Sequence, residues 1–233
     1  MRYLTISAIK GYIKTNKRIL SLLSFIYRIF SFNKIRIKGK NNLIDSNCCG
    51  LFLSKSSIKI LGDRNVLKFQ SDGLTYIRGL NIVVTGHDNV INIGNNVSCT
   101  GLSICIEDDN NQVILGDDFK CGANTHLAAI EGTSIVFGND CLLSANISVR
   151  TGDSHSILDL DGNRINTSKS VLIGEHTWIG NSVLIFKGAN VGHHSIIAGG
   201  SVVTGKTTPP HTIIGGNPAK VLKENINWKL ERI

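Results

Sequence analysis

From Ile173 onward the chain places an aliphatic residue at every sixth position: Ile173, Ile179, Ile185, Val191, Ile197 and Val203. The residue after each is usually small (Gly174, Gly180, Gly192, Ala198). Four residues after each aliphatic stands another small or β-branched side chain, Thr177, Val183, Ala189, Ser195, Ser201 or Thr207. A period of six fits neither the 3.6-residue turn of a helix nor the simple alternation of a hairpin sheet. It fits a three-sided coil in which each side turns one aliphatic residue inward and the small residues let the backbone round the corner. Successive coils then hydrogen-bond as parallel strands about 4.8 Å apart.

Upstream the repeat is looser. Gly94, Gly116 and Gly138 recur at 22-residue intervals behind the extended runs Val90–Ile93, Val113–Leu115 and Ile135–Phe137. Asn-Asn and Asp-Asp pairs between them imply coils with bulged corners. Ile58–Ile60 and Leu67–Phe69 read as still earlier coils. The prediction is an all-β parallel solenoid over residues 42–208, with a basic, partly helical segment at 1–41 and a short tail at 209–233. Gly138 to Gly174 spans 36 residues, and residues 151–170 leave the hexad. Ile157 to Ile165 there makes two extended pieces around Asp161-Gly162, a hairpin-like arm.

Composition agrees with many short strands and tight turns: 24 Gly, 3 Pro and few aromatics. The net charge of +8 is concentrated at one end. Ten basic residues precede the first acidic one, Asp45, and the rest of the chain holds 15 basic and 17 acidic residues. The solenoid is therefore not a nucleic-acid-binding surface. The six cysteines show no metal-ligand spacing, and Cys99, Cys121 and Cys141 fall in apolar runs, as small buried hydrophobes of a reducing cytosol do.

The apolar run Ile19–Phe32 is too short for a membrane-spanning helix and lacks a following small-residue cleavage site. Ile9, Ile13, Leu20, Leu23, Tyr27 and Phe30 recur near helical spacing, with Lys10, Lys14 and Lys17 beside them. Two readings stand open. Residues 1–34 form a basic amphipathic helix lying on an anionic membrane, making a cytoplasmic protein peripheral at the inner membrane surface; or the helix packs on the chain's own assembly or caps the solenoid.

The hexads, followed by Ile214-Gly215-Gly216-Asn217-Pro218-Ala219-Lys220-Val221, resemble the hexapeptide-repeat acyltransferases over roughly residues 85–225, nearest to the galactoside, maltose and polysaccharide O-acetyltransferases. The resemblance implies a left-handed β-helix, a homotrimer with active sites between subunits, and acetyl-CoA as co-substrate. It also implies a catalytic histidine at the start of the arm, where Gly152-Asp153-Ser154-His155 stands. A sugar hydroxyl is a poor nucleophile at neutral pH, so a base must take its proton as it attacks the thioester. A histidine suits this when another group fixes its tautomer. Asp153 and Glu131 are both candidates for that second role.

By the same resemblance, Asn124 and the adjacent His126 are candidates for the acceptor pocket. Trp178, Asn181, Gly199, Thr204, Gly205 and Lys206 are candidates along the pantetheine arm, and Lys220 and Lys223 at the nucleotide phosphates. Gly205 stands where relatives commonly carry a lysine, with Lys206 one residue later, and an extra residue precedes Pro209-Pro210; the local register is open. Of the remaining histidines, His193 and His194 fall on an outer face, His87 and His211 sit in turns, and His176, just before Trp178, is placed to touch ligand.

The expected function is acetyl transfer to a sugar hydroxyl of a cell-surface polysaccharide or its precursor. An N-acetyltransferase of a nucleotide-linked amino sugar would share His155, but such relatives often carry an N-terminal nucleotide-binding βαβ unit that this sequence lacks. A zinc carbonic anhydrase of this fold needs three converging histidines, and no third histidine matches the coil phase of His126 and His155, so no metal is expected. A non-catalytic solenoid would have no reason to keep the arm.

Overall fold

The computed structural model describes residues 16–46 and 48–232. Three parallel sheets form the sides of a prism. Face I holds eight strands, from Lys34–Lys38 to Val202–Val203, and face II holds seven, from Leu43–Asp45 to Asn190–Val191. Face III holds nine, eight parallel strands from Leu51–Ser54 to Ile213–Gly216 and Ala219–Lys223 paired antiparallel at the end. Each coil visits the three faces in turn. Ser103 pairs with His126 and His126 with Ser148 on face I, while Trp178 pairs with Leu142 and Ile196 on face III.

The predicted hexad is the inner wall. Ile173, Ile179, Ile185, Val191, Ile197 and Val203 are all buried, and so are Thr177, Val183, Ala189, Ser195 and Ser201 at the corners. Upstream, Val113 pairs with Ile135 and Leu115 with Phe137, a coil of 22 residues whose corner between faces I and II is bulged. Asparagines fill that corner. Asn65 donates its backbone and side-chain N–H to Oδ1 of Asn42 (2.9 and 3.1 Å), Asn89 to Asn65 (3.0 and 3.0 Å), and Asn111 to Asn89 (2.8 and 3.1 Å). Each amide's second proton goes to a backbone carbonyl, as Asn89 Nδ2 to Asp108 at 3.0 Å. Buried polar groups are tolerated only when satisfied in this way.

At the II–III corner the coils meet backbone to backbone. A Cβ on Gly116 would lie 2.5 Å from the Gly138 carbonyl group, and one on Gly138 would lie 2.5 Å from the Glu175 amide. That approach is open only to glycine, and it is why the 22-residue glycine period was visible in the sequence.

Two boundaries differ from the sequence reading. The first strand, Lys34–Lys38, already pairs in register with Ser57–Leu61, ahead of residue 42. Its alternation hides there because among the described residues no coil lies beneath it: Ile35 and Ile37 stay 56% and 43% exposed. At the other end Ile213–Ile214 stack on Ile196–Ile197, so the solenoid regains register after the Pro209-Pro210 break and runs past residue 208.

Helix α1 (Lys17–Phe30) is capped by Asn16, whose side chain accepts from the Ile19 amide at 3.3 Å. It packs through Leu20, Ser24 and Tyr27, with Tyr27 edge-on to Phe52 at 5.4 Å. Leu22, Phe25, Ile29 and Phe30 face outward. Of the stripe read from the sequence, Leu20 is buried and Phe30 exposed, while Ile9, Lys10, Ile13 and Lys14 lie outside the described residues. No described helix is long and apolar enough to cross a membrane. The C-terminal tail folds back, and Trp228 stacks on His176 at 4.3 Å.

Asn89→Ala removes the acceptor of two Asn111 donors and leaves buried groups unpaired. It is expected to lower stability by about 3 kcal/mol in denaturant unfolding, without loss of the β circular-dichroism signal.

Candidate active site

The asparagine ladder ends where the arm begins. Asn111 Oδ1 accepts from the Thr133 amide at 3.0 Å, and Thr133 Oγ1 meets Thr151 Oγ1 at 2.6 Å. The chain leaves the I–II corner at Thr151 and rejoins it at Lys169, whose amide donates to the Thr151 carbonyl at 2.9 Å. Coil partners are 36 residues apart across this insertion, as Ser148 with Leu184, and 18 apart beyond it, as Leu184 with Val202. The arm is a hairpin, with a Leu158–Arg164 antiparallel bridge and the Asp159 carboxylate accepting from the Asp161 and Asn163 amides at 3.0 and 2.8 Å. Ile157, Leu158, Leu160 and Ile165 all project into solvent.

His155 stands exposed at the arm's outgoing base, after Ser154 at positive φ. Its backbone is held by Asn166 on the returning limb. Asn166 Nδ2 donates to the His155 carbonyl and to Asp153 Oδ2, both at 2.8 Å, and its Oδ1 accepts from the Ile157 amide at 2.7 Å. Lys187, on the next coil, pairs with Asp153 and donates to the Asn166 carbonyl at 2.9 Å. Glu131 ties down the returning limb through Arg164 at 2.7 Å and Ser168 Oγ at 2.8 Å.

Both carboxylates are thus engaged away from the His155 ring; among the described residues neither is bonded to it. Lys187 and then Asn166 hold the Asp153 carboxyl below the ordinary range, and Arg164 and Ser168 do the same for Glu131. Groups depressed in this way anchor the arm above the ordinary carboxylate pKa, and the anchoring is lost as pH falls through their lowered values. Asn166 and Lys187 went unnoticed in the sequence because their roles arise from distances between limbs. A cleft of about 240 Å³ opens beside them, lined by Asn166, Thr167, Lys169, Lys187, Gly188 and Gly205.

The other candidates fall on different edges of the prism. Gly205 lies over Gly188 at the I–II corner, the edge that carries the arm. Thr204 and Lys206 flank it, with the Lys206 amide donating to the Thr204 carbonyl at 2.6 Å. Asn124, at positive φ, is on the III–I edge, where its Nδ2 donates to Asn146 Oδ1 at 3.0 Å. Asn181 and Gly199 are on that same edge, with the Gly200 amide donating to the Asn181 carbonyl at 2.8 Å. Trp178 is half-exposed on face III, and Lys220 and Lys223 are exposed on the last hairpin. His126 sits half-buried on face I between the two edges, its pKa lowered by burial and then by the charge of Arg150. A five-residue face-I strand at ~3.3 Å per residue puts those edges about 16 Å apart. One chain therefore does not bring His155 together with Asn124, Asn181 and Gly199.

No family model matches the chain. A segment of 83 residues, 35% of this chain, is 35% identical to a polysialic acid O-acetyltransferase of Escherichia coli O1:K1 / APEC and spans 27% of that relative's length, so the chain matches about a quarter of it. Solved structures extend the likeness to 85% of this chain. The polySia specific acetyltransferase NeuO superposes with a TM-score of 0.78 at 28% identity over 85% of this chain and 89% of its own. The polysialic acid O-acetyltransferase OatWY gives 0.78 at 27% identity over 85% and 92%. The left-handed parallel β-helix that the resemblance implied is the fold shared with these structures.

Glu131→Gln weakens the tie between Arg164 and the solenoid. Trypsin cleavage after Arg164, followed by mass spectrometry under native conditions, is expected to accelerate about fivefold.

Proposed function

We propose that the chain is a hexapeptide-repeat acyltransferase that transfers an acetyl group from acetyl-CoA to a sugar hydroxyl of a polysaccharide, with His155 as the general base, a reading supported by its likeness to the polysialic acid O-acetyltransferases. The observation that carries this reading is the exposed histidine at the base of an arm that two contacts fix to the solenoid, Lys187 to Asp153 and Arg164 to Glu131, and two more join limb to limb, Asn166 to Asp153 and Asn166 to the His155 carbonyl. Support for a polysaccharide acceptor comes from the names of the relatives, which act on polysialic acid.

The chemistry asks little of the remaining residues beyond placement. The imidazole takes the proton of the attacking hydroxyl, and anchoring the backbone on both sides of His155 keeps the ring at one position relative to face I. Bound acetyl-CoA supplies the activated acyl carbon. The residues present suit such a group: Gly199 and Gly205 leave backbone accessible, Trp178 offers an exposed apolar surface, and Lys206, Lys220 and Lys223 are exposed cations for phosphates. Asn124 and His126 are assigned to the acceptor.

The separation of the edges bears on the assembly. A site that uses both His155 and the Asn124–Asn181–Gly199 edge requires a second copy, whose III–I edge faces the arm of the first. The exposed aliphatics of the arm, with Leu160 wholly in solvent, are suited to rest on that neighbour. A homotrimer closes such heterologous contacts into a ring.

His155→Ala is expected to lower acceptor-dependent release of CoA thiol by about a hundredfold to ten-thousandfold, with KM for acetyl-CoA little changed. Unchanged turnover would remove His155 from the reaction.

A further inference from the structure

Histidines occupy one column of the II–III corner in the last three coils. His176, His194 and His211 have φ of 50°, 56° and 57°, where earlier coils carry Asn96, Asp118 and Asp140 with the same sign. Positive φ alone favours a polar residue of this kind. It does not account for His193, next to His194, whose ring turns toward the same point. Nδ1 of His193 lies 2.9 Å from Nδ1 of His194, and the His194 and His211 rings stack with centroids 5.0 Å apart. One ring nitrogen from each of His193, His194 and His211 lies within 4.8 Å of the other two. His176 is not part of this set. Its ring nitrogens already meet the Asp140 carboxylate at 2.6 Å and the Trp228 carbonyl at 3.1 Å.

We propose that His193, His194 and His211 bind a divalent first-row transition ion of the zinc class, with water completing the shell, and that the ion clamps the last two coils together. Three imidazoles with no carboxylate among them suit zinc, nickel, cobalt or copper rather than calcium or magnesium. Tetrahedral nitrogens about 2.0–2.1 Å from an ion are separated by roughly 3.4 Å. His193 and His194 therefore part by about half an ångström, and His211 closes in by rotation of exposed side chains. The Nδ1–H of His211 donates to the Ile226 carbonyl at 3.2 Å, which leaves Nε2 for the ion and carries the clamp to the tail. The Ile226 amide in turn donates to the His211 carbonyl at 3.0 Å. Solenoids need their end coils closed off, and this site lies at that end. It is on a different edge from the arm, so the ion has no part in the proton transfer assigned to His155.

The test uses the full chain, stripped with a chelator and titrated with Co²⁺ as a spectroscopic probe, then with Zn²⁺. The expected result is one Co²⁺ per chain with the intense visible absorption of a tetrahedral site, displaced by Zn²⁺. Saturating Zn²⁺ should raise the unfolding temperature by about 5 °C. His194→Asn and His211→Asn retain a residue type that accepts positive φ, and each should weaken binding at least about tenfold and abolish the thermal shift. His87→Asn, at another corner, should bind as the unaltered chain does. Absence of stoichiometric binding, or undiminished binding in His194→Asn and His211→Asn, overturns the proposal whatever the outcome for acetyl transfer.

Discussion

Coil stacks on coil through parallel backbone hydrogen bonds, and that spacing leaves each corner column almost no choice of side chain. Where backbones touch, as along Gly116 and Gly138, even a methyl group would be driven to 2.5 Å from the neighbouring coil. Where a corner is wider, the extra backbone must find partners inside the protein, and the Asn65–Asn89–Asn111 ladder provides them at hydrogen-bond distances of 2.8–3.1 Å. The inner wall of Ile, Val and Leu then supplies the burial that holds the stack.

The arm follows from the same constraint. A ladder that runs up the I–II corner cannot simply stop, because its last acceptor and donors would be stranded in the core. Thr133 and Thr151 close it, and the chain is free to leave the coil between Thr151 and Lys169. What leaves is returned at a defined place, because Glu131 and Lys187 bind the arm to the coils on either side of it while Asn166 ties limb to limb. His155 inherits its position from this chain of contacts rather than from a partner on its own ring.

Much of this was legible in the sequence, for reasons that are physical. Six inward aliphatics at one phase leave a period that no helix or hairpin produces, and the arm shows as a doubled coil, 36 residues against 18. The hidden parts are those that a period does not encode. Lys34–Lys38 begins the solenoid without burying Ile35 or Ile37, so its hydrophobic alternation has no consequence to read. Asn166 and Lys187 matter through contacts spanning 13 and 34 residues. His176, His194 and His211 each look like a turn residue when taken singly; their spacing of 18 and 17, one coil each, was the signal that joins them.

The proposed site is divided between two edges that one chain keeps apart. Two inactive variants test this together: His155→Ala on the arm edge and Gly199→Trp on the opposite edge, each prepared as its own assembly. Unfolding and refolding the two as a mixture, with mixed assemblies verified by native mass spectrometry, should restore acetyl transfer, because some sites then combine an intact arm with an intact facing edge. Mixed assemblies that remain as inactive as the separate variants would contradict a site shared between chains.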